Sequence, residues 1–597
     1  MRDFPRAGAF FPALAFALSA LRLAVFALRS LGFFAALPLP LLCLAASLPA
    51  QEAEDSSSGP FPGGGYLDVE GVTVTASPET TQQMKVLSRE DIEAAHAPDL
   101  AVLLRETLNL GMTRYGPYGN QTDISLRGFD SERIAFLMNG VPVNSPGSGG
   151  IELSAIDLNS VDRIEVIHGG SDSKYNVAGA LGGVINIITV KRRKPGLWLG
   201  GSFSNTAALP GDYDKPGAGG QRAKWQDLAD TQNIALSLGL GTEKNSWSAG
   251  FFANRAGNHF LFTDYYGRTL RREGNEVWDA GGSLSLVRDL GPCTIIAGGD
   301  LYYGDKRIPS SGISAAGERQ RIFSGSQNLM LEAPLAFRED LSAEASLTHA
   351  WQGLEYGDAS RHGIYTLTAI NRWSWQGPHG LGLRLGWDYR YSRIDSTDMG
   401  LHDRQDGGLY LTAEYQPLEQ VLIIPSIKAV FSGGRAAPVT PVPKLGLLWT
   451  PTPSLTLKNN YFRGFKLPDF EDLYWNGGGM RGNPDLKPED GWGLDLGAAW
   501  KPTARISLEG TFFSQWTADS IHWYGSGGQR RPENVGKAVF FGLDLGPRIE
   551  IPLGSPAGRA GLFEKLLLSL SYKPLLSYLL SYGYDYSSNK RIPYMPS

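Results

Sequence analysis

From residue 196 onward the chain repeats one texture, with apolar side chains at every second position and small or polar ones between them. Ile234, Leu236, Leu238 and Leu240 alternate with Ala235, Ser237, Gly239 and Gly241. Leu494, Leu496, Ala498 and Trp500 alternate with Asp495, Gly497 and Ala499. The same holds for Ile506 and Leu508 with Ser507 and Glu509, and for Leu455 and Leu457 with Thr456 and Lys458. A period of two sorts side chains onto the two faces of a strand. Leu on one face with Gly or Ser on the other suits a sheet that meets hydrocarbon outside and water inside. Trp198, Trp247, Trp373, Trp375, Tyr578, Tyr582 and Tyr584 fall near segment ends, as interfacial girdles do. A soluble sandwich alternates in a similar way, but residues 196–597 exceed any single sandwich, and no blade-like repeat is visible.

Composition narrows the class further. The chain has 74 glycines and 11% aromatic residues but only 19% charged ones, a profile of many short strands joined by polar loops. Two cysteines, Cys43 and Cys293, exclude a disulfide framework and Cys-rich zinc sites. A formal charge of -5 carries no electrostatic footprint for nucleic acid. Beyond residue 50 no run of about 18 apolar residues occurs, which excludes a polytopic helical membrane protein.

Residues 10–50 are almost wholly apolar, broken by Arg22 and Arg29. They fit a signal peptide, with Leu31 to Leu44 as its apolar core and the small residues from Ala45 to Ala50 as the cleavage zone. The competing reading is a retained anchor, which the prolines at 38, 40 and 49 weaken. Residues 51–71 follow as a flexible, polar periplasmic tether.

Residues 72–193 have a different texture. Val72-Thr73-Val74-Thr75-Ala76 is a short β-branched strand without an evident partner, open to pairing with another sheet edge or serving as an ordinary edge strand. Ser88 with Asp91 forms a capping-box variant, and Leu100, Leu103, Leu104 and Leu108 share one face of a second helix. Strands are expected over 123–126, 134–138, 161–167 and 184–190, with a hairpin turn at Asn139-Gly140.

Four of these segments resemble the plug domain of TonB-dependent outer-membrane receptors in order and spacing. They are Leu126-Arg127-Gly128, the run from Phe136 to Val143, the run from Val161 to Ile167, and the run from Gly182 to Thr189. The runs from Phe462 to Tyr474 and from Gly482 to Glu489 resemble the barrel signature of the same family, and Asn534-Val535-Gly536 with Gly542 to Leu545 its next hairpin. The resemblance implies a transmembrane antiparallel β-barrel, of 22 strands in the family, occupying 196–597 here with the last few strands missing, and an N-terminal mixed α/β plug domain inside its lumen. It implies that Val72, Thr73, Val74, Thr75 and Ala76 are the Ton box captured by a TonB-like energy-transducing protein. It also implies a plug–barrel lock, for which Arg127, Arg163, Glu165, His168 and Glu489 are the candidates. His168 stands where relatives usually carry Arg, so a weaker and pH-dependent partner is expected there.

By the same resemblance the protein is a monomer of the cell outer membrane, in contact with its lipid, that imports a scarce chelate, cobalamin or a ferric siderophore. It is not an enzyme and uses no cofactor. Between Phe462 and Leu486 no histidine stands where haem receptors place one, which disfavours haem. The eight histidines (96, 168, 259, 349, 362, 379, 402 and 522) show no metal-ligand or triad spacing. The acidic loops 211–215 and 264–266 offer at most weak calcium or ligand contacts. The run from Arg591 to Pro596 resembles a landmark that several more strands follow in relatives, so the last strands are expected to be missing and the barrel unclosed. At roughly 20 residues per strand and connection, residues 196–597 supply about 20 strands at most. The rivals are a non-functional truncated remnant, a passive porin-like channel, and an outer-membrane enzyme.

Overall fold

The computed structural model describes residues 81–591 apart from 98, 115, 117, 171–174, 176–179, 190–194, 208–227, 260, 264–266, 268, 272–273, 309–317, 335–339, 434–438, 526–529, 553–564 and 583–589. The leader, the tether, residues 72–76 and the loops at 211–215 and 264–266 therefore lie outside the described residues.

The plug is built on a five-stranded mixed sheet in the order Gln83–Leu87, Val161–His168, Gly183–Thr189, Ile134–Met138, Val141–Pro142. Ile134–Met138 runs parallel to Gly183–Thr189, and the other pairs are antiparallel. Both faces of the central strands are covered, which is why they read as unbroken apolar runs. Ile164, Val166, Ile185 and Ile187 face the helices, while Ile167 and Val184 pack with Ala135 and Leu137 on the other side. Helix Arg89–Ala95 starts at the Ser88–Asp91 capping box, and helix Leu100–Leu108 is capped by Asp99 and buries all four of its leucines. Gln83–Leu87 and Gly111–Arg114 carry no clear sequence signal, being only five and four residues long, and form by pairing with neighbouring strands.

The remaining long strands form one antiparallel sheet in which successive strands are neighbours. Its alternation is sharp: on Thr294–Ile308, Leu301 is 57% exposed while Tyr302 is 2% exposed. Most turns at one end are short, such as 242–244 and 290–293, whereas 257–276 and 467–488 at the other end are long. That asymmetry marks the periplasmic and extracellular ends. Lys565–Ser569 and Leu575–Tyr582 both pair with Arg531–Pro552, so they act as one strand interrupted around Pro574, which has no N–H to give the ladder.

The expectation of an unclosed ring is corrected. The sheet is a closed barrel, in which Lys590–Arg591 stands between Leu575–Tyr582 and Gly196–Thr206 in the strand order. The closing element is the two-residue strand Lys590–Arg591, and pairing there spares backbone groups that would each cost several kcal/mol unsatisfied in hydrocarbon.

Candidate functional site

The plug meets the wall through arginines that local backbone geometry aims outward. Leu126 and Phe129 exchange backbone hydrogen bonds of 2.9 and 3.0 Å, enclosing Arg127 and Gly128, both at positive φ (52° and 88°). This is the two-residue turn that matches strand twist. A non-glycine residue held there costs about 1 kcal/mol or more, and the surroundings must hold it in place. Arg127 Nη1 donates to Asp495 Oδ1 at 2.7 Å, and its Nη2 and Nε donate to Asp544 Oδ2 at 3.0 and 3.3 Å. The guanidinium also lies 4.2 Å over the Phe513 ring. Gly128 is required twice over, because a Cβ there would also approach Phe540 to 2.9 Å.

A second clamp lies beside it. Arg133, at the end of the short turn Ser131–Arg133, grips Glu489 in bidentate fashion, Nε to Oε2 at 2.8 Å and Nη2 to Oε1 at 2.6 Å. Asp130 takes its remaining nitrogen at 2.6 Å, and the Ile521 N–H donates to Glu489 Oε1 at 2.7 Å. Glu489 is wholly buried.

Of the residues expected at the lock, the structure brings Arg127 and Glu489 to the plug–wall contact, but not to each other. Arg163 and Glu165 are corrected: they share one strand face and pair together at 3.0 Å, and Glu165 also accepts from Asn186 Nδ2 at 2.9 Å. Arg163 is 44% exposed, and its other ion pair is with Asp162. His168 is corrected as well. It is buried, with Nδ1 3.3 Å from the Gln83 carbonyl. Burial, and then the Arg127 charge, hold its pKa well below the usual imidazole value, so it is neutral and adds no titrating cation. Arg133, Asp495 and Asp544 are the partners that sequence reasoning missed. Asp495 and Asp544 each stand between two leucines, a charge at an inward position of a membrane strand, and that was the available signal.

Above the clamps the plug apex, residues 144–151, is held by Asn144, whose Nδ2 donates to the carbonyls of Ile134 and Gly149 at 3.1 and 2.8 Å. The barrel loop after Leu455–Lys466 docks on it. Asp469 caps helix Phe470–Tyr474, and the freed helix N–H groups of Phe470 and Glu471 donate to Pro146 and Gly147 carbonyls at 3.0 and 2.8 Å. Lys466 is buried, 3.5 Å from both Asp469 Oδ2 and Asp472 Oδ2. Around this platform Tyr474 stacks on His402 at 3.6 Å, Trp475 lies over His362 at 6.2 Å, and Trp523 Nε1 donates to Asp472 at 3.2 Å. The platform borders a cavity of about 1230 Å³. That exceeds the roughly 300–1,000 Å³ of sites for drug-sized ligands.

Burial, reinforced by Asp469 and Asp472, pushes the Glu471 carboxyl up to about 7. An acid whose pKa is raised by folding keeps its full stability contribution below its unfolded pKa and loses it as pH rises through the folded value. Amide exchange across residues 470–475 should therefore be slower, after correction for intrinsic rates, at pH 5.5 than at pH 8. Glu471→Gln should flatten that difference; an unchanged pH dependence in the variant would disprove the assignment.

A family model described as the TonB-dependent receptor plug domain matches residues 77–184, and one described as TonB dependent receptor-like, beta-barrel, matches residues 182–597. The chain belongs to the TonB-dependent receptors. It is accordingly an outer-membrane receptor of nutrient uptake and not an enzyme. It is 24% identical over 485 residues to the vitamin B12 transporter BtuB of Vibrio vulnificus (strain CMCP6), a match that spans 78% of this chain and 72% of that one. Among solved structures, the siderophore receptor PirA from Pseudomonas aeruginosa superposes with a TM-score of 0.63 at 18% identity, covering 85% of this chain and 86% of that one. The copper transporter OprC does so with a TM-score of 0.65 at 15% identity, covering 84% of each. These likenesses to solved structures establish the shared fold.

Proposed function

We propose that this receptor imports a large chelated nutrient, cobalamin or a ferric siderophore, across the outer membrane, and that an uncharged or cationic complex of the cobalamin kind is preferred to a trianionic ferric catecholate. The observation that carries the preference is the state of the charges around the extracellular cavity. Lys306 is committed to Glu152 at 2.7 Å, Lys466 to Asp469 and Asp472, and Arg133 to Glu489 and Asp130. Glu132 and Glu471 also line the cavity, as acids whose carboxyls burial pushes up to about 8 and about 7, and Arg307 and Arg390 line it too. An anionic cargo would have to compete for these paired cations to gain more than Arg307 and Arg390 offer, whereas a neutral complex bearing amides can stack on Trp475 and Trp523 and hydrogen-bond to the rim. The 24% identical relative named as a vitamin B12 transporter supports the same choice.

Energy coupling completes the reading. A TonB-like protein pairs with the segment 72–76 and pulls the plug, with the clamps at Arg127 and Arg133 holding it between cycles. The cargo is tested by equilibrium binding of cyanocobalamin and of a ferric tricatecholate to the purified receptor in detergent. Cobalamin should bind at least about tenfold more tightly, a difference of roughly 1.4 kcal/mol. The reverse order would overturn the charge argument, and binding of neither would overturn both cargoes.

A further inference from the structure

The outward face of the barrel carries an exception to its own rule. On Glu318–Pro334, Phe323 and Leu329 are 42 and 43% exposed while Ile322 and Met330 are 4 and 3% exposed, so odd-numbered side chains face lipid. Gln327 shares that parity and is exposed. On the next strand, Leu341–Tyr356, Leu347 is 44% exposed, and His349 shares its parity. Gln327 and His349 stand directly opposite one another in the register. Neither side chain has a hydrogen-bond partner among the described residues.

The aromatic residues around them fix their depth. Leu367, opposite His349 on Ser360–Gln376, lies between Tyr365 toward the extracellular end and Trp373 and Trp375 toward the other. Interfacial aromatics bracket the hydrocarbon, so this polar pair sits inside it. Nearer the periplasmic end, Asn371 adds an outward amide whose buried Oδ1 has no partner among the described residues. On Thr231–Gly241 the outward positions are instead Ile234, Leu236, Leu238 and Leu240. A polar side chain that faces hydrocarbon gives up its bonds to water and gains none from lipid, a cost that only a second polar surface removes.

The neighbouring side chains permit close approach. Gly299 stands opposite Gln327 on its other side, Ala345 opposite Asn371, and Ala369 opposite Leu347. In a membrane, small residues let two protein surfaces meet, and polar ones then bond across the contact.

We infer that this lipid-facing patch, centred on Gln327 and His349, docks a second copy of the chain, so that the receptor forms a two-fold pair and not the monomer that the family resemblance implies. Symmetry and chemistry select this occupant. A two-fold axis along the membrane normal brings together residues of equal depth, and Gln327 and His349 lie side by side near the middle of their strands. An amide and a neutral imidazole each donate and accept. Gln327 can therefore satisfy the partner's His349, and His349 the partner's Gln327, with no charge left to neutralise. Four strands about 4.8 Å apart, over an apolar band about 25 Å tall, offer on the order of 500 Å² per copy. The total of about 1,000 Å² meets the lower bound for a specific interface. The inference rests on the barrel alone, and not on the cargo or the energy coupling.

It is tested with the full-length receptor reconstituted in phospholipid vesicles. Gln327→Cys in a Cys293→Ser background should form a cross-linked dimer on oxidation. Leu447→Cys, which faces lipid on the strand Thr440–Thr452 elsewhere on the wall, should not. Energy transfer between donor- and acceptor-labelled copies should rise with the protein-to-lipid ratio. Gln327→Leu with His349→Leu should raise the ratio needed for half-maximal transfer about tenfold. Leucine suits both positions in hydrocarbon, and heat-shifted gel mobility reports the folded barrel for every variant. Wild-type transfer no higher than random proximity, an unshifted curve for the leucine pair, or equal cross-linking from Leu447→Cys would overturn the inference. So would a Gln327→Cys adduct formed in intact cells only with a different protein.

Discussion

Replacing Arg133 with alanine should destabilise the plug–barrel contact by about 3–5 kcal/mol, the cost of leaving a buried carboxylate without its partner. Glu489 is fully buried and receives two guanidinium hydrogen bonds, of 2.6 and 2.8 Å, from Arg133. What remains in Arg133→Ala is the single N–H of Ile521. The plug would then be held at this corner by Arg127 and by the packing of Phe129 and Leu181 on Phe513, Phe540 and Leu575, and limited proteolysis of the folded receptor should release plug fragments faster than in wild type. The companion variant Arg133→Met with Glu489→Gln removes both charges at once. It should recover most of the loss, because the destabilisation comes from the stranded charge more than from the missing bond. Proteolysis of Arg133→Ala at the wild-type rate, or a double variant no better than the single one, would contradict the clamp.

Deleting Val72–Ala76 should reduce energy-dependent uptake to the level seen with a proton uncoupler, while leaving cargo binding at the cell surface unchanged. The segment ends five residues before Thr81, which is wholly buried against the wall. The Thr81 carbonyl accepts from Asn460 Nδ2, and the wall is glycine at Gly446 and Gly497, where a Cβ would overlap Thr81 and Gln83. Force applied upstream therefore arrives directly on the edge strand Gln83–Leu87 of the plug sheet. A proline at Val74, which removes one N–H from any strand pairing, should reproduce the deletion. Uptake that survives both changes would remove the Ton-box assignment; loss of surface binding as well would point to a folding defect.

Much of the architecture was legible because it answers to local rules. The Ser88–Asp91 cap, the Asn139-Gly140 turn and the leucine face of Leu100–Leu108 each involve residues within one or two turns of chain, and the structure forms all three. The membrane strands were legible for a different reason: hydrocarbon on one side and water on the other impose a period of two on every strand separately. Gln83–Leu87 was not legible, since a five-residue edge strand without alternation is stabilised by the neighbour it pairs with more than by its own composition.

The candidate site divides along the same line. Arg127, which the structure places in a turn with positive φ at both central positions, stood out through the resemblance of Leu126-Arg127-Gly128 to the plug domain of the family. Its partners did not, because Asp495 and Asp544 lie 368 and 417 residues away, and Glu489 lies 356 residues from Arg133. Ion pairs of that separation leave no spacing to read. Arg163 and Glu165 illustrate the converse, charges two residues apart on one strand that satisfy each other within the plug. By itself, then, the sequence determined a lipid-facing barrel, from the solvent on each strand face, and the local caps and turns of the plug, which follow from nearest-neighbour chemistry. Only the tertiary structure decided which carboxylates clamp the plug and that the ring closes, because those depend on which strands curve round to face one another and the plug.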